Sequence, residues 1–220
     1  MTTNIEQYIT NDYQAIQGRE TIADVQDFFE EVSYSHFPVL QDSVYIGSLA
    51  ADDVAGFDAD KTVLDYRYAT EGFFVRNAMT CLDVLEVFAK NNTNTVPVLD
   101  QENNYLGYYE QESIIGILNQ TPFIKERGGI IVVQKSSVDY SMSQITQIVE
   151  SNNGKILGLF ISAAEGNLIE VTIKLAIGEM NEIIQSFRRY NYEIISSHDE
   201  DTYLNNLKDR SDYLDKYLNI

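Results

Sequence analysis

The sequence predicts a mixed α/β and α+β chain: two β-α-β-β-α units in tandem, then a ferredoxin-like β-α-β-β-α-β domain and a C-terminal helix. Three observations predict this. The stretch HFPVLQDSVYIGSLAADDV at 36–54 is written again, with small changes, as TVPVLDQENNYLGYYEQESI at 95–114. A repeat of that size is one supersecondary unit used twice, each copy covering an apolar face that the other leaves open. The run KERGG at 125–129 then breaks the pattern with two glycines. Beyond it the apolar periods read strand, helix, strand, strand, helix, strand.

The elements follow in order. At a constant offset of 59, Thr21 matches Thr80, Asp24 matches Asp83, Val25 matches Val84 and Phe29 matches Phe88, and Pro38-Val39-Leu40 falls on Pro97-Val98-Leu99. One inserted residue later, Gly47 meets Gly107. Thr21 and Thr80 read as N-caps, with apolar residues at helical spacing behind each. A short apolar strand follows (37–40 and 96–99), then a polar turn, a second strand (44–49 and 105–109) and a short acidic-started helix (52–57 and 111–118). The predicted organisation is a repeat pair over 1–122, with repeat one at about 5–60 and repeat two at about 64–120. A linker is expected at 123–128, a second domain at 129–198 and a terminal helix at 199–220. In the second domain, strands are expected at 129–134, 155–162, from 168 and from 192. Helices are marked by Met142, Ile145 and Ile148 and by Met180, Ile183 and Phe187. Asp139 and Ser141 read as N-cap of the first of these helices. Leu204, Leu207, Leu214 and Leu218 set one apolar face on the terminal helix.

Composition narrows the function. The 220 residues are 44% hydrophobic, ample for folded cores. Fifteen Lys and Arg stand against 34 Asp and Glu, a formal charge of −19, and residues 1–122 hold 5 basic against 20 acidic residues, a balance of −15. Such a field repels nucleic acid and anionic membranes, so neither is expected as a partner. The start MTTNIEQYITND has no signal-like pattern and no apolar run reaches membrane-spanning length, which predicts a cytoplasmic protein. Cys81 is the sole cysteine and reads as a core residue. The two histidines, His36 and His198, share no metal-ligand spacing, and no nucleophile elbow, phosphate loop or dinucleotide fingerprint is present. No catalytic residue, metal or resident cofactor is therefore expected.

The doubled apolar-Pro-Val strand, the glycine-containing strand and the helix after it resemble the CBS domain, and the pair resembles a tandem CBS module over about 5–120. The β-α-β-β-α-β pattern at 129–198 resembles an ACT domain. The whole arrangement is similar to bacterial acetoin-utilisation accessory proteins. The CBS resemblance implies a regulatory dimer, a protein partner and an adenosine-type ligand (AMP, ADP, ATP or S-adenosylmethionine) in the clefts between the repeats.

The family pattern after the strand glycine, two apolar residues, Thr or Ser, two variable residues and Asp, places Asp53 at the ribose position of the first copy. Ala50 stands at the Thr/Ser position there. The second copy has Glu110 and Ser113 in the corresponding places. Phe37 and Pro38 would flank the base, and Arg76 is the candidate phosphate contact. Two other readings stay open: Asp53 as an acidic residue favoured by a helix N-terminus, and the whole pair as a ligand-free dimerisation or interaction scaffold with decayed sites. The amino-acid-binding loop of the ACT family usually carries Asp and Gly; here KSSVDYSMS has Asp139 and no Gly.

Overall fold

The computed structural model describes residues 5–176 and 180–196. His198 and the expected terminal helix at 199–220 lie outside the described residues. The chain divides into two units, Met1–Asn119 and Gln120–Ile220. Among the described residues no helix is long and apolar enough to cross a membrane.

The first unit contains the two β-α-β-β-α repeats. Repeat one runs β1 (Ile16–Gln17), α1 (Ile22–Glu31), β2 (His36–Gln41), β3 (Val44–Ala50) and α2 (Ala51–Val54); repeat two runs β4 (Val75–Arg76), α3 (Cys81–Asn91), β5 (Thr95–Leu99), β6 (Tyr105–Glu110) and α4 (Gln111–Asn119). Each forms a three-stranded sheet, β1-β2-β3 and β4-β5-β6, with the first strand parallel and the hairpin antiparallel. The expected caps close both long helices. Thr21 Oγ1 accepts from Asp24 N at 3.2 Å, and Thr80 and Asp83 form a reciprocal capping box. Cys81 begins α3 and is half-buried against the repeat-two core.

A feature with no strand or helix pattern of its own joins the repeats. The segment ahead of repeat one lies on the last strand of repeat two, where Thr10 and Tyr108 exchange two backbone hydrogen bonds of 3.0 Å. The segment ahead of repeat two does the same to repeat one: Ser48 and Glu71 exchange two of 2.8 Å. Beside each exchange sits a glycine, Gly107 at φ 140° and Gly47 at φ 136°, next to matching bulges at Val98/Leu99 and Val39/Leu40. A Cβ on Gly107 would stand 2.6 Å from Thr10 O, and one on Gly47 would stand 2.7 Å from Thr70 Cβ. The glycines therefore serve the crossing segments: only a residue without a side chain lets one backbone lie this close over the other. The cores interpenetrate accordingly. Tyr108 of repeat two is fully buried among Ile22, Val25, Phe37 and Leu49 of repeat one, while Ile5 joins Val84, Phe88, Val96 and Tyr109 of repeat two.

The second unit is β7 (Gly128–Ser136), α6 (Met142–Ser151), β8 (Ile156–Glu165), β9 (Leu168–Ala176), α7 (Met180–Arg189) and β10 (Glu193–Ile194). Its sheet order, β10-β7-β9-β8, is the ferredoxin-like split arrangement. Ile131, Val133, Val171, Ile173 and Leu175 face Ile145, Ile148, Val149, Ile183, Ile184 and Phe187 in one core. The stretch expected as a linker, 123–128, includes most of a short helix, α5 (Pro122–Lys125), with Pro at its start. Gly128 and Gly129 already pair with Ala176 and Leu175. Their meaning was contact rather than flexibility, since a Cβ on Gly128 would overlap Leu175 O. Asp139 is not part of the α6 cap. Ser141 alone accepts from Gln144 N, and Asp139 instead accepts from Ser136 Oγ at 2.8 Å.

Gly107→Ala is expected to destabilise the first unit by about 2 kcal/mol or more, from positive φ plus the collision with Thr10. Gly116→Ala, in α4 with nothing within 4 Å of the new methyl, is expected to stabilise by about 0.5–1 kcal/mol. Urea unfolding of the two variants checks both signs; equal effects would refute the crossing-segment account.

Candidate functional site

The two repeats meet through β2 and β5, and their register defines equivalent positions. Pro38 faces Ser48 as Pro97 faces Tyr108, and His36 faces Ala50 as Thr95 faces Glu110. Ser35 and Asn94 stand at the meeting point and bond reciprocally. Ser35 N donates to Asn94 Oδ1 at 2.8 Å, and Asn94 N donates to Ser35 Oγ at 3.1 Å. Ala51 N and Gln111 N, each opening the helix after a hairpin, donate to Ser35 O and Asn94 O at 2.9 Å. Each repeat thus anchors one helix start, and the two sides of the Ser35–Asn94 link are the positions of the two expected clefts.

The second cleft, at the start of α4, is a cavity of about 410 Å³ lined by Tyr13, Glu31, Ser33, Tyr34, Asn94, Glu110 and Glu112 among others. Tyr34 dominates its floor. Its hydroxyl donates to Glu110 Oε1 at 2.5 Å and lies 3.2 Å from Tyr108 Oη. Its ring stacks on Phe37 at 5.3 Å. Burial, and then the hydrogen bonds to Glu110 and Tyr108, push the Tyr34 hydroxyl far above the usual tyrosine range. Glu110 is therefore occupied by this chain's own tyrosine.

The equivalent positions of the first cleft are small. Thr93, Ser48 and Ala50 stand where the second cleft has Tyr34, Tyr108 and Glu110. Thr93 and Ser48 are buried, and Thr93 Oγ1 donates to Thr95 O at 2.7 Å. His36 borders this side, with Nδ1 3.0 Å from Ser35 Oγ and Nε2 3.4 Å from Glu71 Oε1. Asp53, one turn into α2, is exposed.

The four expected ligand contacts are not brought together. Asp53 is on the surface of α2, free to accept from a ligand. Phe37 has no exposed surface and packs against Phe28, Tyr34 and Tyr108. It cannot flank a base, because its position on an inward-pointing strand register assigns it to the core. Pro38 is buried opposite Ser48. Arg76 lies elsewhere: its guanidinium donates to Asp100 O and to Asn103 Oδ1, at 2.5 Å for the latter, and sits over the Phe74 ring. It clamps the β5–β6 turn, away from the first cleft where a phosphate contact was expected of it. Tyr34, Ser35, Tyr108 and Asn94 escaped the sequence reading, although the offset that matched the strands also pairs Ser35 with Asn94.

Comparison with known proteins follows this geometry. No family model matches the chain. An uncharacterized protein of Methanocaldococcus jannaschii is 23% identical over 201 residues, covering 90% of this chain and 75% of that one. The solved structures to which the chain is similar include CBS domain proteins. A CBS domain pair/ACT domain protein from Thermotoga maritima is 17% identical, covering 53% of this chain and 96% of that one, with a TM-score of 0.48. CBSX2 in complex with AMP is 15% identical, with coverage of 53% and 96% and a TM-score of 0.46. The CBS domain of a bacterial CNNM/CorC family Mg2+ transporter in complex with ATP is 22% identical, with coverage of 51% and 84% and a TM-score of 0.43.

Burial also raises Tyr45, Tyr105 and Tyr108, and it pushes Tyr109 up to about 12. The Tyr109 hydroxyl is buried and has no hydrogen-bond partner among the described residues. A group raised in the folded state adds stability below its unfolded value, and that stability is lost as pH rises through the folded one. The first unit is expected to hold its melting temperature up to about pH 10 and lose it steadily above. Ultraviolet titration should show these tyrosines ionising only as the unit unfolds. Glu110→Gln is expected to bring Tyr34 down toward the ordinary range, because the carboxylate acceptor and its charge are gone.

Proposed function

We propose that the chain is a non-enzymatic regulatory protein whose first unit acts as a CBS pair, holding one adenosine-type ligand in the first cleft. Asp53 accepts from the ribose hydroxyls. The observation that carries the reading is the side-chain asymmetry of the clefts: Tyr34, Tyr108 and Glu110 bond one another in the second, and the smaller Thr93, Ser48 and Ala50 stand in their places in the first. An exposed carboxylate on the helix that follows these small residues suits a ribose. The −15 balance of residues 1–122 favours the least anionic candidates, so AMP or S-adenosylmethionine fits better than ATP. Ligand binding would bias the relative pose of the repeats by its differential affinity for two states. A cytoplasmic homodimer would pass that bias to a protein partner, with the ferredoxin-like unit in the role of an ACT-like relay, as in the acetoin-utilisation type of architecture.

A second reading has its own support. Tyr34 fills the floor of one cleft, and Phe37, Pro38 and Arg76 are committed to core and turn, so the pair fits equally a scaffold that dimerises without a ligand. Thermal unfolding separates the two. With AMP, ADP, ATP or S-adenosylmethionine at a hundred times its dissociation constant, the first unit should gain about 2.7 kcal/mol, a shift of several degrees. Asp53→Ala should abolish the shift while leaving the unliganded midpoint unchanged. No shift with any of the four compounds would remove the ligand and leave the scaffold.

A further inference from the structure

The sheet of the second unit has one covered face and one open one. Residues alternate along β7 and β9, so Ile131, Val133, Val171, Ile173 and Leu175 point into the core under α6 and α7 while their neighbours point the other way. The strand register lines these outward residues up in rows. One row is polar: Glu193, Gln134 and Glu170, with Ser162 donating to Glu170 at 2.7 Å. The next row carries Ile195, Val132, the methyl-bearing Thr172 and Phe160, and so crosses all four strands without a charge. Ile130 extends it along β7. Ile195, Ile130 and Phe160 are 45%, 50% and 47% exposed. At the β8 end, Phe123 of α5 lies against Gly158 and meets the Phe160 ring edge-on at 5.9 Å. Ile130 and Ile195, at the β10–β7 end, have no such cover among the described residues.

The chain leaves the sheet beside this row. Ile195 N donates to Val132 O at 2.8 Å and Val132 N donates to Ser196 Oγ at 3.0 Å, which fixes the exit point on the β10 edge. The sequence that follows sets Leu204, Leu207, Leu214 and Leu218 on one face of a helical pattern, with Asn205, Asp209, Asp212 and Lys216 on the opposite one. Residues 197 and 198 alone separate Ser196 from the start of that pattern, a reach of about 10 Å. A helix over 199–220 would measure about 33 Å, and the four strands span about 14 Å from the first to the last.

We propose that residues 199–220 lie as an amphipathic helix on the open face of this sheet, their leucines covering Ile195, Val132 and Ile130. The sheet then becomes the middle layer between this helix and the α6–α7 pair, with apolar residues covered on both sides. This segment of the same chain is the occupant for three reasons. It is tethered at the edge of the face, so its effective concentration there exceeds that of any free partner of similar surface. It holds 3 basic against 6 acidic residues, whereas a second whole copy would bring a charge of −19 to a chain of the same charge. Lys174, opposite Ile130 in the adjoining row, makes no ion pair among the described residues, and Asp199, Glu200 and Asp201 at the start of the segment supply the counter-charge. The proposal depends neither on a ligand in the first unit nor on dimerisation.

Disulfide mapping in the full chain tests this. In a Cys81→Ser background, Thr172→Cys is combined in turn with a cysteine at each position from 203 to 214, and circular dichroism confirms that each variant folds. Mild oxidation should give disulfides within one chain, seen as faster migration without reductant. Their yield should peak at Leu204, Leu207 and Ser211 and fall several-fold at Asn205 and Asp209, on the far side of the helix. Leu207→Ser and Ile195→Ser should each lower the urea midpoint of the second unit, and the double variant should lose less than the sum of the two. A yield that is flat along the segment, or serine effects that simply add, would overturn the docked helix. Disulfides formed mainly between chains would overturn it too, and would give the face to a second copy.

Discussion

Two short backbone exchanges hold the first unit together: Thr10 with Tyr108, and Ser48 with Glu71. Each lays the segment that leads into one repeat across the last strand of the other, and each depends on a glycine at positive φ underneath. Neither repeat is complete without this exchange. Tyr108 fills the core of repeat one, Ile5 fills that of repeat two, and the buried faces of both sheets are shared property. The internal duplication is thereby converted into one cooperative body, because burial of apolar surface in each half requires chain from the other.

The same near-symmetry makes the two clefts comparable position by position. Ser35 and Asn94 bond each other across the centre and receive the first amide of α2 and of α4. What differs is side-chain size. Tyr34 spends its hydroxyl on Glu110 and Tyr108 in one cleft, whereas Thr93 turns back onto its own strand in the other. A duplicated scaffold has in this way acquired one cleft whose large polar side chains satisfy one another and one with smaller side chains in their places.

The second unit is organised by different means. Its single core lies between the helices α6 and α7 and one face of a four-stranded sheet, and its edges are unequal. One edge is blunted by shortness and charge. The other is long and neutral, with its charges placed at the two ends.

Sequence alone determined the local elements and their order. Threonine caps, 3.6-residue and two-residue periods and the Pro-Val repeat are short-range patterns, and a helix or hairpin is decided largely by its own residues. The repeat, with one residue inserted in its turn, also announced Gly47 and Gly107 as equivalents, and Ala50 with Asp53 against Glu110 with Ser113 as the divergent positions. Tertiary structure alone decided where side chains point and what they meet. Phe37 looked available to a base and is core; Arg76 looked available to a phosphate and is bound to the 100–103 turn; Gly128 and Gly129 looked like a linker and are close-packed strand. Tyr34 closed a cleft that its local sequence gave no hint of. Each of these depends on contacts between residues tens of positions apart, from Tyr34 to Glu110, Arg76 to Asp100 and Gly128 to Leu175, and no local period encodes which distant partner will be there.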